Sequence, residues 1–178
     1  MMKYIIIGII VLIILLISFI MIIQYNKFKW IKIKISKGES SILNILENKH
    51  DILKRYIEFL KNKKLFKNDE IEIYETFNPK LSLKKNNNKL NEMNKLINTI
   101  MDNNEKLFKN ETIIGLNKEL NQLNIKLRGC KKYYNDNVIL YNKLCKSFPS
   151  LLIAKLFHEK EKDYLDEETP NILKILDD

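Results

Sequence analysis

Tyr4 to Ile23 is a run of 20 residues in which Gly8 and Ser18 are the only small or polar interruptions. At a rise of ~1.5 Å per residue such a run spans about 30 Å, the thickness of a bilayer's hydrocarbon layer. Lipid offers backbone amides no partner outside the segment, so the run has to be helical despite its many β-branched residues. This predicts a transmembrane helix over residues 4–23 behind a short flank, 1–3. A cleaved signal peptide is the rival, but its apolar core covers ~7–15 residues and ends at small side chains. Met21-Ile22-Ile23-Gln24-Tyr25 offers no such site, and no Cys lies near enough for a lipoprotein anchor. The run reads as an uncleaved anchor.

The flanks orient it. Lys3 and the terminal amine precede the run, whereas Lys27, Lys29, Lys32, Lys34 and Lys37 come within ~15 residues after it, which places the C-terminal side in the cytoplasm of a single-pass membrane protein. Residues 24–38 form a basic juxtamembrane segment, with Tyr25, Lys27, Phe28, Lys29, Trp30, Lys32 and Lys34 as its membrane-interface residues. Lysines near anionic headgroups gain ~1 kcal/mol each. A plain stop-transfer signal and a lipid-sensing strip fit these lysines equally. Residues 27–35 alternate in a strand-like way, but a strand here has no partner, so the helix is expected to continue.

Composition bounds the rest. A chain of 178 residues holds one modest domain beside the span and excludes a multidomain enzyme. The net charge is +9, but 29 of the 31 basic residues are Lys, and 22 Asn and 29 Ile accompany them. A joint excess of Lys, Asn and Ile is a compositional bias, which weakens the step from basicity to nucleic acid. Four Gly and three Pro disfavour turn-rich β folds and phosphate loops.

Beyond the span, Ile42, Leu46, Leu53, Ile57 and Leu60 form an apolar stripe within residues 39–66, with His50 near its gap. A break is expected at 68–89, where Asn78-Pro79 and the polar run Lys84 to Lys89 disfavour helix. Glu70 to Phe77 reads as a short helix or an ordered loop. Leu90, Met93, Ile97, Ile100, Asn104 and Leu107 step by three and four. So do Ile113, Leu116, Leu120, Leu123, Leu127, Cys130, Tyr134, Val138, Tyr141, Cys145 and Phe148, a long seam that Asn110 or Thr112 caps and Phe148-Pro149 ends. Leu151 to Phe157 is a further short helix. Residues 159–178 are an acidic, loosely held tail. Three amphipathic helices bury their stripes most simply against one another, so the expected fold is all-α: an N-terminal transmembrane helix and then an elongated antiparallel helical bundle over 39–158.

The stretch Arg128 to Phe157 resembles the C-terminal signature of the LemA family, roughly A-R-x-Y-N-x-x-V-x-x-Y-N-x-x-I-x-x-F-P-x-x-x-x-A-x-x-F. The carriers are Tyr134-Asn135, Val138, Tyr141-Asn142, Phe148-Pro149 and Ala154, with Tyr133 alongside. Tyr25-Asn26 after the span, and Ile42, Leu46 and Glu47 to Leu53, resemble further family segments. The chain departs from the pattern at Gly129 and Cys130, where the family is Ala-rich, at Lys54-Arg55-Tyr56, and at His158, where the family has Gly. The resemblance implies one N-terminal span and a helical-bundle domain. It brings no catalytic residues and no settled molecular activity.

Physically, Tyr134 and Tyr141 are seven apart, as are Asn135 and Asn142, so each pair repeats on one helix face. A seam Tyr buries its ring and seeks a partner for its hydroxyl. The two amides are expected to bond a neighbouring helix and fix register, or else to form a polar strip for a partner helix.

Other constellations do not assemble. Cys130 and Cys145 are ~22 Å apart along one helix and cannot bridge. His50 and His158 lack ligands at metal spacing, and the acidic pairs Glu70/Glu72 and Glu159/Glu161 fall on different helix faces. No phosphate loop or hydrolase motif is present. No catalytic, cofactor or metal residues are therefore assigned. The expectation is a non-enzymatic, membrane-anchored helical scaffold whose partners are the bilayer and other proteins, without nucleic acid or small-molecule substrate. The alternative is a basic protein binding nucleic acid or anionic lipid.

Overall fold

The apolar run and the amphipathic segment after it form one helix. A computed structural model describes residues 1–65 and 76–165. Among these it has four α-helices and no strand: α1 (Met2–Asn62), α2 (Leu83–Asp102), α3 (Glu111–Lys146) and α4 (Ser150–Leu156), with a 3-10 turn at Glu105–Lys109. The chain divides into two compact units. One comprises Met1–Lys37 and Tyr134–Tyr164, the other the described residues of Gly38–Tyr133. The expectation for Glu70 to Phe77 falls mostly outside the described residues.

In the second unit the expected stripe is the core. Ile42, Leu46, Leu53, Ile57 and Leu60 of α1 are buried, together with Leu90, Met93, Ile97 and Met101 of α2 and Ile113, Leu116, Leu120 and Leu127 of α3. Burying each aliphatic side chain is worth ~1.5–3 kcal/mol. The buried face of α1 is wider than the stripe, because Ile52 and Tyr56 join it. Arg55 meets Glu119 at 2.7 Å and Tyr56 meets Asn117 at 2.6 Å, whereas Lys49, a turn and a half earlier, feels the charge of Lys131. Rising numbers on α1 meet falling numbers on α3, so the two run antiparallel.

Two local expectations change here. The polar run Lys84 to Lys89 is helix, not loop: Ser82 Oγ accepts the Lys85 N–H at 3.3 Å and starts α2 about two turns earlier. Asn86 is buried, and its Nδ2 donates to the carbonyls of Asn78 (3.0 Å) and Leu81 (3.3 Å). Its amide thus ties the helix start to the Asn-Pro turn. At the other end the stripe does not carry the helix through Leu107. α2 stops at Asp102, and Asn104 Nδ2 turns back to the Ile100 carbonyl at 2.9 Å. Asn110 begins α3, its Oδ1 accepting the Thr112 N–H at 3.0 Å.

In the first unit α1 packs against the end of α3 and the chain around α4. Phe28, Ile31 and Ile35 are buried with Tyr134, Val138, Tyr141, Leu144, Ile153 and Ala154. Phe28 stands edge-on to Tyr141, ring centroids 5.6 Å apart at 89°. It is therefore a core residue rather than a membrane-interface one, because its side of α1 faces α3. Toward the N-terminus the large apolar side chains through Phe19 are exposed. This stretch of α1 is long and apolar enough to cross a membrane, and none of it is buried.

Candidate functional site

Tyr134, Tyr141 and Asn142 on α3 direct polar groups to extended chain rather than to a neighbouring helix. Asn142 donates from Nδ2 to the Lys162 carbonyl and accepts the Lys162 N–H at Oδ1, both at 2.9 Å. Tyr134 Oη donates to the Asp163 carbonyl at 3.3 Å, and Tyr141 Oη donates to Glu159 Oε2 at 2.7 Å. Three of the four motif side chains thus hold residues 159–163 against α3. These residues, expected to begin a loose tail, are fixed because their backbone amides find partners in the seam. Asn135, the fourth, is half-buried, and Tyr133 lies on the exposed side.

Glu159 is delivered by the way α4 ends. After the cis Phe148–Pro149 peptide, Ser150 Oγ donates to the Ser147 carbonyl at 2.7 Å and α4 begins. It closes in a Schellman motif: the His158 N–H reaches the Lys155 carbonyl at 3.4 Å and the Glu159 N–H reaches the Ala154 carbonyl at 2.9 Å. Such a motif needs a left-handed residue at its centre, and His158 has φ 54°. That geometry explains why Gly suits this position. His is among the residues that tolerate it, and its Nδ1 sits 3.1 Å from the Lys155 carbonyl.

Glu159 then closes a three-residue node. Lys32 Nζ lies 2.6 Å from its Oε1 while Tyr141 holds its Oε2. Burial works to raise the carboxyl, but the hydrogen bonds of Lys32 and Tyr141 and the charges of Lys32 and Lys162 outweigh it and hold the group below its ordinary value. The same contact acts oppositely on Tyr141, whose hydroxyl is pushed up by burial, then by the bond and charge of Glu159. Cys145, a turn away, is a free thiol pushed up by burial and by the charges of Glu159 and Glu161. A protonated, buried thiol is a packing group rather than a nucleophile. Sequence reading missed Glu159 and Lys162, because the residues that anchor them lie 18 to 127 positions away (Lys32 to Glu159 being the longest separation).

The remaining residues expected at the membrane interface divide between the node and the surface. Lys32 belongs to the node. Trp30 is exposed, with Lys34 Nζ 3.3 Å from its ring centroid. Tyr25 stacks at 5.1 Å on Phe157, and Lys27 and Lys29 are exposed. Of the motif residues, Val138 and Ala154 are core, whereas Phe148 is 81% exposed and does not complete the seam.

The second unit carries its own buried polar layer. Lys49 is 5% exposed and donates to Asn91 Oδ1 at 3.2 Å. Burial, then the charge of Lys131, lowers its pKa. His50, also buried, faces the Phe77 ring at 5.9 Å and Asp51 at 3.6 Å. Tyr56, bonded to Asn117, is pushed up to about 12 by burial and by the charge of Glu119. Among the described residues no cluster of three His, Cys, Asp or Glu is placed to hold a metal.

Comparison with known proteins gives one family: the model described as the LemA family matches residues 39–173. No curated protein and no solved structure matches the chain.

Proposed function

The chain belongs to the LemA family, and on that premise we propose that it is a single-pass, non-enzymatic scaffold whose helical part is held at the cytoplasmic face of the cell membrane and gathers other proteins there. The observation that carries this reading is the exposure of α1. Its large apolar side chains from Met2 to Phe19 are all open to the surroundings, while the same helix, without a break, becomes core at Phe28, Ile31 and Ile35. A continuous apolar surface of this size is stable in lipid and costly in water. The lysines after the run favour the cytoplasm for the helical part beyond it.

A structural rather than catalytic role is supported by the use made of the polar groups. Tyr134, Tyr141, Asn142 and Glu159 spend their hydrogen bonds on fixing the chain itself, and the Cys145 thiol is held protonated. The partners are the bilayer and proteins; neither nucleic acid nor a small-molecule substrate enters the reading.

Alkaline carbonate extraction with intact-mass measurement tests the anchor. The full-length mass should stay with the membrane pellet; a soluble product starting near residue 24 would overturn it. Proximity labelling with the full chain against residues 25–178 tests the scaffold role. A membrane-dependent set of labelled proteins is expected, and identical sets from both would count against it.

A further inference from the structure

α4 buries one face and leaves the other open. Ile153 and Ala154 point into the core, while Leu152 and Leu156 are exposed, Leu156 at 65%. Phe148 before the helix and Phe157 after it are exposed as well. Leu152 and Leu156 are four apart within α4, so they share a side of that helix. Two large apolar side chains open to solvent on a seven-residue helix, with an exposed Phe just before it and another just after it, make an apolar surface that calls for an occupant.

Its position says which occupant. The Phe157 ring lies 5.1 Å from that of Tyr25, and Tyr25 is two residues beyond the end of the apolar run. Two residues of helix add ~3 Å along the axis, within the interfacial layer that flanks the hydrocarbon. Near the end of the run Ile20 and Met21 are half-buried, as is Gln24 just beyond it, although the turns before them are open. The protein therefore packs against the end of the run at the level of α4. Lys155 on α4 and Lys27 and Lys29 on α1 are exposed around this place, the arrangement by which amphipathic lysines reach headgroups above an apolar contact.

We infer that α4 is an interfacial helix, whose Phe148, Leu152, Leu156 and Phe157 enter the headgroup–acyl boundary of the same bilayer that the apolar run crosses. The inference rests on reading that run as a membrane span. α4 thus gives the protein a second, shallow attachment to one leaflet, and the lysines beside it favour an anionic surface.

The test uses the full chain, one copy per nanodisc, in mixed phosphatidylcholine and phosphatidylglycerol with bromines placed high or midway on the acyl chain. Trp30 is the only tryptophan, so Trp30→Phe gives a silent background. Reporters are then introduced singly as Leu152→Trp, Leu156→Trp, Leu12→Trp in the run and Ile125→Trp on exposed α3. Leu152→Trp and Leu156→Trp should emit at shorter wavelength than Ile125→Trp and be quenched more by high bromines than by midway ones. Leu12→Trp should show the reverse order, and Ile125→Trp no quenching. Quenching of Leu12→Trp without quenching at 152 and 156 overturns the interfacial helix and leaves the span intact. A short-wavelength but unquenched signal at 156 also overturns it, by placing protein over the patch. An unquenched Leu12→Trp removes the span and this inference with it.

Discussion

Asn142 and the backbone of Lys162 face each other as a complementary pair, the amide donating and accepting once each at 2.9 Å. The side chain does what a neighbouring strand would do: it pairs an extended residue that has no sheet. Asn is one of the few residues able to meet both the N–H and the C=O of one residue at once.

Asn142→Ala should therefore release the segment after α4. Asn142 is buried, and leaving backbone groups there unpaired costs about 1–3 kcal/mol. Thermal unfolding should start at lower temperature, and hydrogen exchange should rise across residues 159–163 first. An unchanged melt together with lost protein partners would show that the amide serves an interface instead.

The Glu159 node should make the first unit acid-sensitive. The folded carboxyl titrates below its ordinary value of 4.5, so the folded state binds its proton less readily than the unfolded chain does. Its contribution is complete above 4.5 and disappears as pH falls through the lowered folded value. Lys32 is 46% exposed at its side chain, so solvent screening keeps the effect modest. Glu159→Gln should lower the melting temperature at neutral pH and flatten its decline below pH 4.5. Parallel wild-type and variant curves would contradict the node.

Lys49 works in the opposite direction. Burial and Lys131 lower its pKa from 10.5, so the charged form is disfavoured by folding. It costs stability below the folded pKa, and the cost is relieved as pH rises through that value toward 10.5. Lys49→Met should raise the melting temperature at pH 7, because Asn91 is exposed and regains water when its bond is lost. The gain should shrink in alkali. Destabilisation at neutral pH would mean that the Lys49–Asn91 bond outweighs the buried charge.

Gly115 and Gly129 lie inside α3, and a methyl group added at either meets nothing within 4 Å. Ala at each should stabilise by ~1 kcal/mol through helix propensity alone. The two are 14 residues apart and share no partner, so the double substitution should shift the melt by the sum of the single shifts. A loss of stability at either would point to a partner on that surface in the assay.

The parts of the fold legible in the sequence came from periodicity. Leu46, Leu53 and Leu60, or Ile113, Leu116 and Leu120, announce their burial by spacing, because a helix has one inward face. Phe28 was legible as aromatic but not as core: its place against Tyr141 depends on where the end of α3 returns, 113 residues later. Asn86 sits in a run that composition assigns to solvent, and only the turn at Asn78 and Leu81 gives it partners. Glu159 and Lys162 belong to extended chain whose order comes from side chains elsewhere, which leaves no local pattern. Phe148 kept the seam's spacing but fell where α3 has already ended, so it faces outward.

The absence of any interruption in α1 between the apolar run and Phe28 has a mechanical meaning. A flexible tether would let the attached part sample many orientations and heights above the lipid. A stiff stalk without a hinge lets it sample few. With the run spanning a bilayer as proposed, any change in bilayer thickness that altered its lean would be passed directly to the ring of Phe28 and the node beside it, so the membrane's own dimensions would become an input to how this surface is presented.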